Sequence, residues 1–270
     1  MLTIDVVVII LLVGLVAGVL GGLLGIGGSI IMIPALSILL SGQERVDQHL
    51  IQAAAMVVNV AVALPAALRH HKAGAVRVDI AKWMLPIALV TILIGVFLSD
   101  LFPAERLKVV FAAFLAYVAL VNGWKLVKGS DRNPDPEDHA KLHPARVGTV
   151  ASLMGLSAGL LGIGGGVIAV PAMQLFLRLP LRQCIATTAA VMCLSSPLGA
   201  AFKLYNLPEH GRSPWLALLI AAILVPTAVI GARIGAKLTH TLPLRIVRGV
   251  LTLLLIAASL RMSGLLSGMF

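Results

Sequence analysis

What this 270-residue chain lacks narrows its chemistry at the outset. Charged residues make up only 12% of it and aromatics 4%, while 59% is hydrophobic. Ordinary soluble domains carry about 25% charge, so a water-soluble globule is excluded and an all-α polytopic membrane protein remains. No Asp or Glu falls in the middle of an apolar run; Asp5, Asp79, Asp100 and Glu105 stand at run ends. That absence removes the usual buried carboxylate relay and leaves a cationic substrate without a countercharge, which points to an anion or a neutral solute. The two cysteines, Cys184 and Cys193, share one apolar run without CxxC spacing and read as buried thiols rather than a disulfide or a metal site. GxSxG, HExxH and phosphate-loop motifs are missing, and no strand precedes the glycines to make a dinucleotide site. Nothing here reads as an enzyme, and no cofactor is expected.

A net charge of +10 would suggest nucleic acid in a soluble protein. Here the 21 Lys and Arg residues sit almost entirely between apolar runs, where the positive-inside rule expects them, so nucleic acid is not a partner and the lipid bilayer is. The runs fall at 4–24, 27–41, 50–68, 83–99, 104–127, 147–163, 166–177, 184–202, 214–236 and 244–260. Most suffice to cross about 30 Å of hydrocarbon, giving about 8–10 membrane segments and a multi-pass place in the cell (inner) membrane. The run Ile4 to Leu24 has no Lys or Arg before it and reads as retained rather than as a signal peptide.

The chain writes one glycine-rich phrase twice. Gly22-Leu23-Leu24-Gly25-Ile26-Gly27-Gly28-Ser29, with Pro34, recurs as Gly159-Leu160-Leu161-Gly162-Ile163-Gly164-Gly165-Gly166, with Pro171. The apolar runs that follow each phrase are too short to span, so each phrase reads as a Gly-broken helix or re-entrant hairpin. Corresponding short, interrupted segments in two halves point to a transporter's binding site. The polar stretch Gly129 to His139 separates the halves, giving a first transmembrane repeat at 1–128, a linker at 129–145 and a second repeat at 146–270. His139 and His143 in that stretch have i, i+4 spacing but no third ligand, so no metal is expected. Weaker similarity sets Pro65 to Arg69 against Pro197 to Lys203. Inverting the second half puts fifteen of the 21 basic residues on the cytoplasmic side, against twelve for parallel halves, so inverted repeats are favoured, with both termini outside the cytoplasm.

The helix that restarts after each phrase presents N–H groups without intrahelical partners at the positive end of its dipole, a setting for an anion. Gly25, Gly27, Gly28 and Ser29 in the first phrase, and Gly162, Gly164, Gly165 and Gly166 in the second, are the first candidates for substrate binding. The competing reading is close helix packing through small residues. Second-rank candidates are the polar residues inside runs: Asn59, Thr187, Thr188, Ser195 and Ser196, with Thr91 more ordinary and Gln52 nearer an end. Arg69-His70-His71-Lys72 and Lys203 read either as anion-gathering charges at a vestibule or as snorkelling, topology-setting ends.

At the glycine phrases the chain resembles the sulfite exporter TauE/SafE family of membrane permeases, which carry a duplicated G-x-x-G-x-G-G-G/S-x-x-x-x-P motif. The resemblance runs over essentially the whole chain. Members often follow each motif with Gly-Thr-Ser; Ala186-Thr187-Thr188 matches this partly, whereas Gln52-Ala53-Ala54-Ala55 departs from it. The resemblance implies transport of a small sulfur-containing anion such as sulfite or an organosulfonate, often by export. A passive anion channel, and an importer of a small organic acid, are the alternatives. A proton or other coupling ion and a homo-oligomer are left open as partners.

Overall fold

The computed structural model describes residues 4–41, 46–128 and 143–239, and singly 241, 243, 249, 252, 253, 256, 259 and 260. The linker reading over 129–142, and most of the last apolar run, lie outside the described residues. Among those described, nine α-helices follow in order: α1 (Ile4–Leu24), α2 (Ser29–Leu39), α3 (Gln48–Lys72), α4 (Val78–Asp100), α5 (Ala104–Lys128), α6 (Pro144–Leu161), α7 (Gly166–Phe176), α8 (Leu181–Asn206) and α9 (Pro214–Leu238). Helices α1, α3, α4 and α9, with α8 continued through the 3₁₀ turn Leu207–His210, are long and apolar enough to cross a membrane. Each of α2 and α7 has 11 residues, about 16 Å of helix, or half a bilayer core. Apolar side chains cover the outside as well as the core: α4 buries Met84, Ala88 and Ile92 yet exposes Val90, Ile94 and Phe97. Lipid is the solvent such a surface requires.

Prolines recur at matching places in the two halves, Pro34 and Pro171 in the short helices, Pro65 and Pro197 in α3 and α8, Pro86 and Pro226 in α4 and α9. The helix partners correspond in the same way. Helix α1 packs on α9, α4 on α6, and α3 on α8, so each half lays its broken helix against a long helix of the other. Small residues permit this. A Cβ on Gly14, Gly18 or Gly22 would run into Leu224, Ala228 or Ala232 respectively, and one on Gly155 or Gly159 into Ala88 or Ile92. Backbones in such contact gain dispersion that longer side chains would prevent, and in lipid this replaces the hydrophobic drive.

Register also gives direction. Contacts advance together along α1 and α9, and together along α4 and α6, so each pair runs parallel. At one end of the bundle His49 stacks on His210, with ring centroids 3.9 Å apart, and Asp100 accepts from Asn206. At the other end Arg77 N–H donates to Thr187 Oγ1 at 3.0 Å. Thus α3 runs from the His49 end to the Arg77 end, while α4 and α8 run back. Ser29 Oγ bonds to Ala55 O and Ser37 Oγ to Gln48 Oε1, so α2 returns toward the end from which α1 came. Thr188 Oγ1 meets Met173 Sδ as α7 leads back into α8. The α1–α2 hairpin opens at the His49 end and the α6–α7 hairpin at the Arg77 end.

Two glycines of α6 separate packing from propensity. Gly155→Ala is expected to wedge α6 off α4, where Thr91 Oγ1 and Ala88 O occupy the space, and to lower the thermal unfolding midpoint in detergent by several degrees. Gly148→Ala, whose Cβ meets only Ile87 Cδ1 at 3.7 Å, should leave the midpoint unchanged or raise it through helix propensity of about 0.5–1 kcal/mol.

Candidate functional site

Both glycine breaks need backbone that ordinary residues adopt poorly. Gly27 and Gly164 each have φ 74, the left-handed region that glycine enters without a Cβ penalty. Just beyond them α2 starts from Gly28 and α7 from Gly165, and neither start has a side-chain cap. The two breaks meet: a Cβ on Gly166, the first residue of α7, would lie 2.5 Å from Ile26 Cα and 2.6 Å from Gly25 O, in the turn that leads into α2. Two positive helix ends therefore converge at one place in an apolar interior.

Helices α3 and α8 cross over this junction and roof it. Gly162 is covered by Gln52, whose Cβ lies 2.9 Å from the position a Cβ would take, and Gly25 by Ile185 O and Cγ2, at 2.5 and 2.8 Å. Between the breaks sit Asn59 and Met192. A Cβ on Gly27 would stand 2.7 Å from Asn59 Oδ1 and 3.3 Å from Met192 Sδ, and one on Gly164 2.6 Å from Met192 Sδ and 3.0 Å from Asn59 Nδ2. Asn59 and Gln52 are wholly buried, and both atoms of each amide lack a hydrogen-bond partner. A buried polar group left unsatisfied costs about 1–3 kcal/mol, so four such atoms beside two uncapped helix starts make this junction the candidate site.

Of the residues singled out in the sequence, the structure brings together Gly25, Gly27, Gly162, Gly164, Gly166 and Asn59. Gly28 and Gly165 instead close their own hairpins, Gly28 against Ala17 and Met32, Gly165 against Met154. Ser29 is buried and spends its hydroxyl on Ala55 O, at 3.1 Å. Thr187 ties α8 to the α3–α4 turn through Arg77 N–H, and Thr188 faces Met173. Ser195 and Ser196 are buried one turn beyond Met192 on α8, and Ser196 Oγ has no hydrogen-bond partner. Sequence reasoning passed over Met192 and Ile185 and underrated Gln52. Setting Pro65 on Pro197 was the available signal, since it brings Asn59 within one residue of Met192.

A second polar group closes the His49 end. Lys203, only 2% exposed, neither snorkels nor gathers anions. Its ammonium donates to Ser99 Oγ and lies 3.7 Å from Asp100 Oδ1. Asn206 Nδ2 donates to Asp100 Oδ2 at 2.6 Å, His210 Nε2 is 3.4 Å from Asp100 Oδ1, and Arg212 Nε donates to Asp47 Oδ2 at 2.8 Å. Asp47 also caps α3 through Leu50 N–H. These bonds join the ends of α3 and α4 to the end of α8 and the turn after it, across the two halves. His49, Asp100 and His210 offer atoms within 4.8 Å of one another, yet the two rings are stacked only 9° from parallel. A metal in the plane of one ring would lie outside the plane of the other, so the trio's stacking does not suit a shared metal. At the opposite end Arg69, His71 and Lys72 are exposed, and Arg77 pairs with Asp79 at 2.7 Å, which raises the guanidinium above its ordinary pKa. Cys184 is buried, its thiol donating to Leu179 O at 3.4 Å, and Cys193 is half-buried; neither forms a disulfide.

Removing one partner of a buried pair leaves the other uncompensated. Asp100→Asn is expected to destabilise by about 3–5 kcal/mol in detergent unfolding, and replacing both partners, Asp100→Leu with Lys203→Met, should recover most of it.

The comparisons with known proteins agree with this architecture. The family model described as "Sulfite exporter TauE/SafE" matches residues 10–262. A "Probable membrane transporter protein MamO" from Paramagnetospirillum magneticum is 27% identical over 96% of this chain and 44% of its own length. A "Probable membrane transporter protein YunE" from Bacillus subtilis is 28% identical over 92% of this chain and 94% of its own, and a "Probable membrane transporter protein" from Haemophilus influenzae is 26% identical over 95% and 97%. The chain spans less than half the length of the two MamO relatives it matches. No solved structure matches it. With its duplicated glycine break and its apolar helices, the chain belongs to the sulfite exporter TauE/SafE family.

Proposed function

We propose that the protein is a secondary transporter for a small anion, a sulfur-containing oxyanion such as sulfite or an organosulfonate, moved outward across the cell membrane by alternating access. The observation that carries this reading is the pair of unpartnered, fully buried amides, Gln52 and Asn59, beside the meeting point of two uncapped helix starts. Helix ends supply positive potential and N–H donors, and the amides supply further donors without bringing a charge into lipid. The opposed openings of the two hairpins support an inverted-repeat arrangement, in which one half rocks against the other around a site near the midplane. On this reading the polar group at the His49 end holds that face shut while the Arg77 end, secured across the halves by Thr187, is the one that parts. The protein's chemistry is then binding and movement, with no covalent step.

Radiolabelled sulfite flux into proteoliposomes containing the full chain tests the reading. Wild-type protein should carry sulfite, and Asn59→Leu should lower flux at least about tenfold, because a site built to hydrogen-bond its ligand is strongly penalised when that bond is lost. Gly148→Ala should carry sulfite at the wild-type rate. An Asn59→Leu protein that unfolds normally on heating and transports as well as wild type would remove Asn59 from the site. Sulfite that accumulates against its gradient under an imposed proton gradient distinguishes a coupled carrier from a passive channel.

A further inference from the structure

The site is duplicated in backbone but not in side chains. Gly25 and Gly162 are equivalent glycines, and the residues over them are Ile185 and Gln52. Gly27 and Gly164 are likewise equivalent, and the residues reaching both are Asn59 from α3 and Met192 from α8. On each of these helices the two residues are two turns apart and share a face: Gln52 and Asn59 on one, Ile185 and Met192 on the other. The first half therefore offers two amides whose four polar atoms are all buried and unpartnered, and the second offers, at matching positions, a branched alkyl group and a thioether that are fully buried or nearly so.

A ligand seated between these walls meets two amides on one side, while on the other the residues at the glycines are apolar and the nearest buried hydroxyl, Ser196, lies a turn farther along α8. A symmetrical oxyanion would leave oxygens facing Met192 and Ile185, stripped of water and unpaired, at a cost of about 1–3 kcal/mol for each group left so. An anion with charge at one end and carbon at the other has no such conflict. We infer that the site takes an anion of this one-ended kind, its charged head toward Gln52 and Asn59 and the uncapped helix starts, its apolar substituent against Met192 and Ile185, and that Met192 sets the preference for that substituent. The inference rests on the anion-binding reading of the same site and adds an orientation and a selectivity to it. Met suits the role because an unbranched, polarizable side chain adapts to substituents of different shape.

The test is binding of a series with one head group and growing tails: sulfate, methanesulfonate, ethanesulfonate and propanesulfonate, measured by isothermal titration on the full chain purified in detergent. In wild type, ethanesulfonate should bind about tenfold tighter than methanesulfonate, the gain expected from one methylene placed in an apolar pocket, and sulfate should bind more weakly than either. Met192→Asn should abolish the gain with tail length and improve sulfate relative to ethanesulfonate. Met192→Leu, which keeps the wall apolar, should retain the gain and guards against loss of fold as an explanation. Sulfate binding as tightly as ethanesulfonate in wild type, or an unchanged tail-length series in a folded Met192→Asn protein, overturns the orientation and leaves the anion site standing. Failure of every anion in the series to bind wild-type protein, with no sulfite flux, overturns the anion site and this inference together.

Discussion

Everything in this fold answers to one constraint: an interrupted helix cannot be left facing lipid. At each break the backbone leaves the helical ladder, and its freed N–H and C=O groups need cover that hydrocarbon does not supply. Each half meets the need with the other half's long helix, Gln52 of α3 lying over Gly162 and Ile185 of α8 over Gly25. The crossing of α3 and α8, the exchanged pairs α1–α9 and α4–α6, and the small residues that let them touch all follow from covering two breaks at one place. The cover is incomplete where Gln52 and Asn59 point amides at the junction with nothing to bond, and that residue of unsatisfied polarity is where a ligand enters the account.

Much of this was legible in the residues. The apolar runs located all nine described helices, and the two phrases located both breaks, because glycine is confined there by backbone geometry that no other residue matches. The roles of single glycines within a phrase were not legible. Gly27 and Gly28 are neighbours in sequence, yet one faces Asn59 across the bundle and the other packs on Ala17 of its own hairpin; three-dimensional approach decides this and leaves no mark on the spacing. Thr187 and Thr188 stood out because hydroxyls in apolar runs are conspicuous, whereas Met192 does not stand out because thioethers are ordinary there. The His49 end was invisible for a different reason, since its members come from residues 47–49, 99–100 and 203–212 and only folding makes them neighbours.

The two ends of the bundle are built on different principles. At the His49 end, carboxylates from the first half meet cations and amides from the second, in a group from which water is largely excluded. At the Arg77 end, Arg77 and Asp79 pair within one turn, and a backbone N–H donates across the halves to Thr187. Parting the first contact requires hydrating a buried ammonium, whereas the bond from Arg77 N–H to Thr187 is a neutral one that water can replace. A duplicated architecture thus carries different chemistry at its two ends through side chains alone.

The pairing of α1 with α9 also has a consequence for how the chain is made. Helix α1 is made before α9, the helix whose backbone it touches, and some two hundred residues separate their starts. Until then the face bearing Gly14, Gly18 and Gly22 has only lipid against it, a shallow groove that any small-residue helix could occupy. The close backbone contact of α1 therefore waits on the second half of the chain, and until α9 is made this glycine face lacks the helix that fills it.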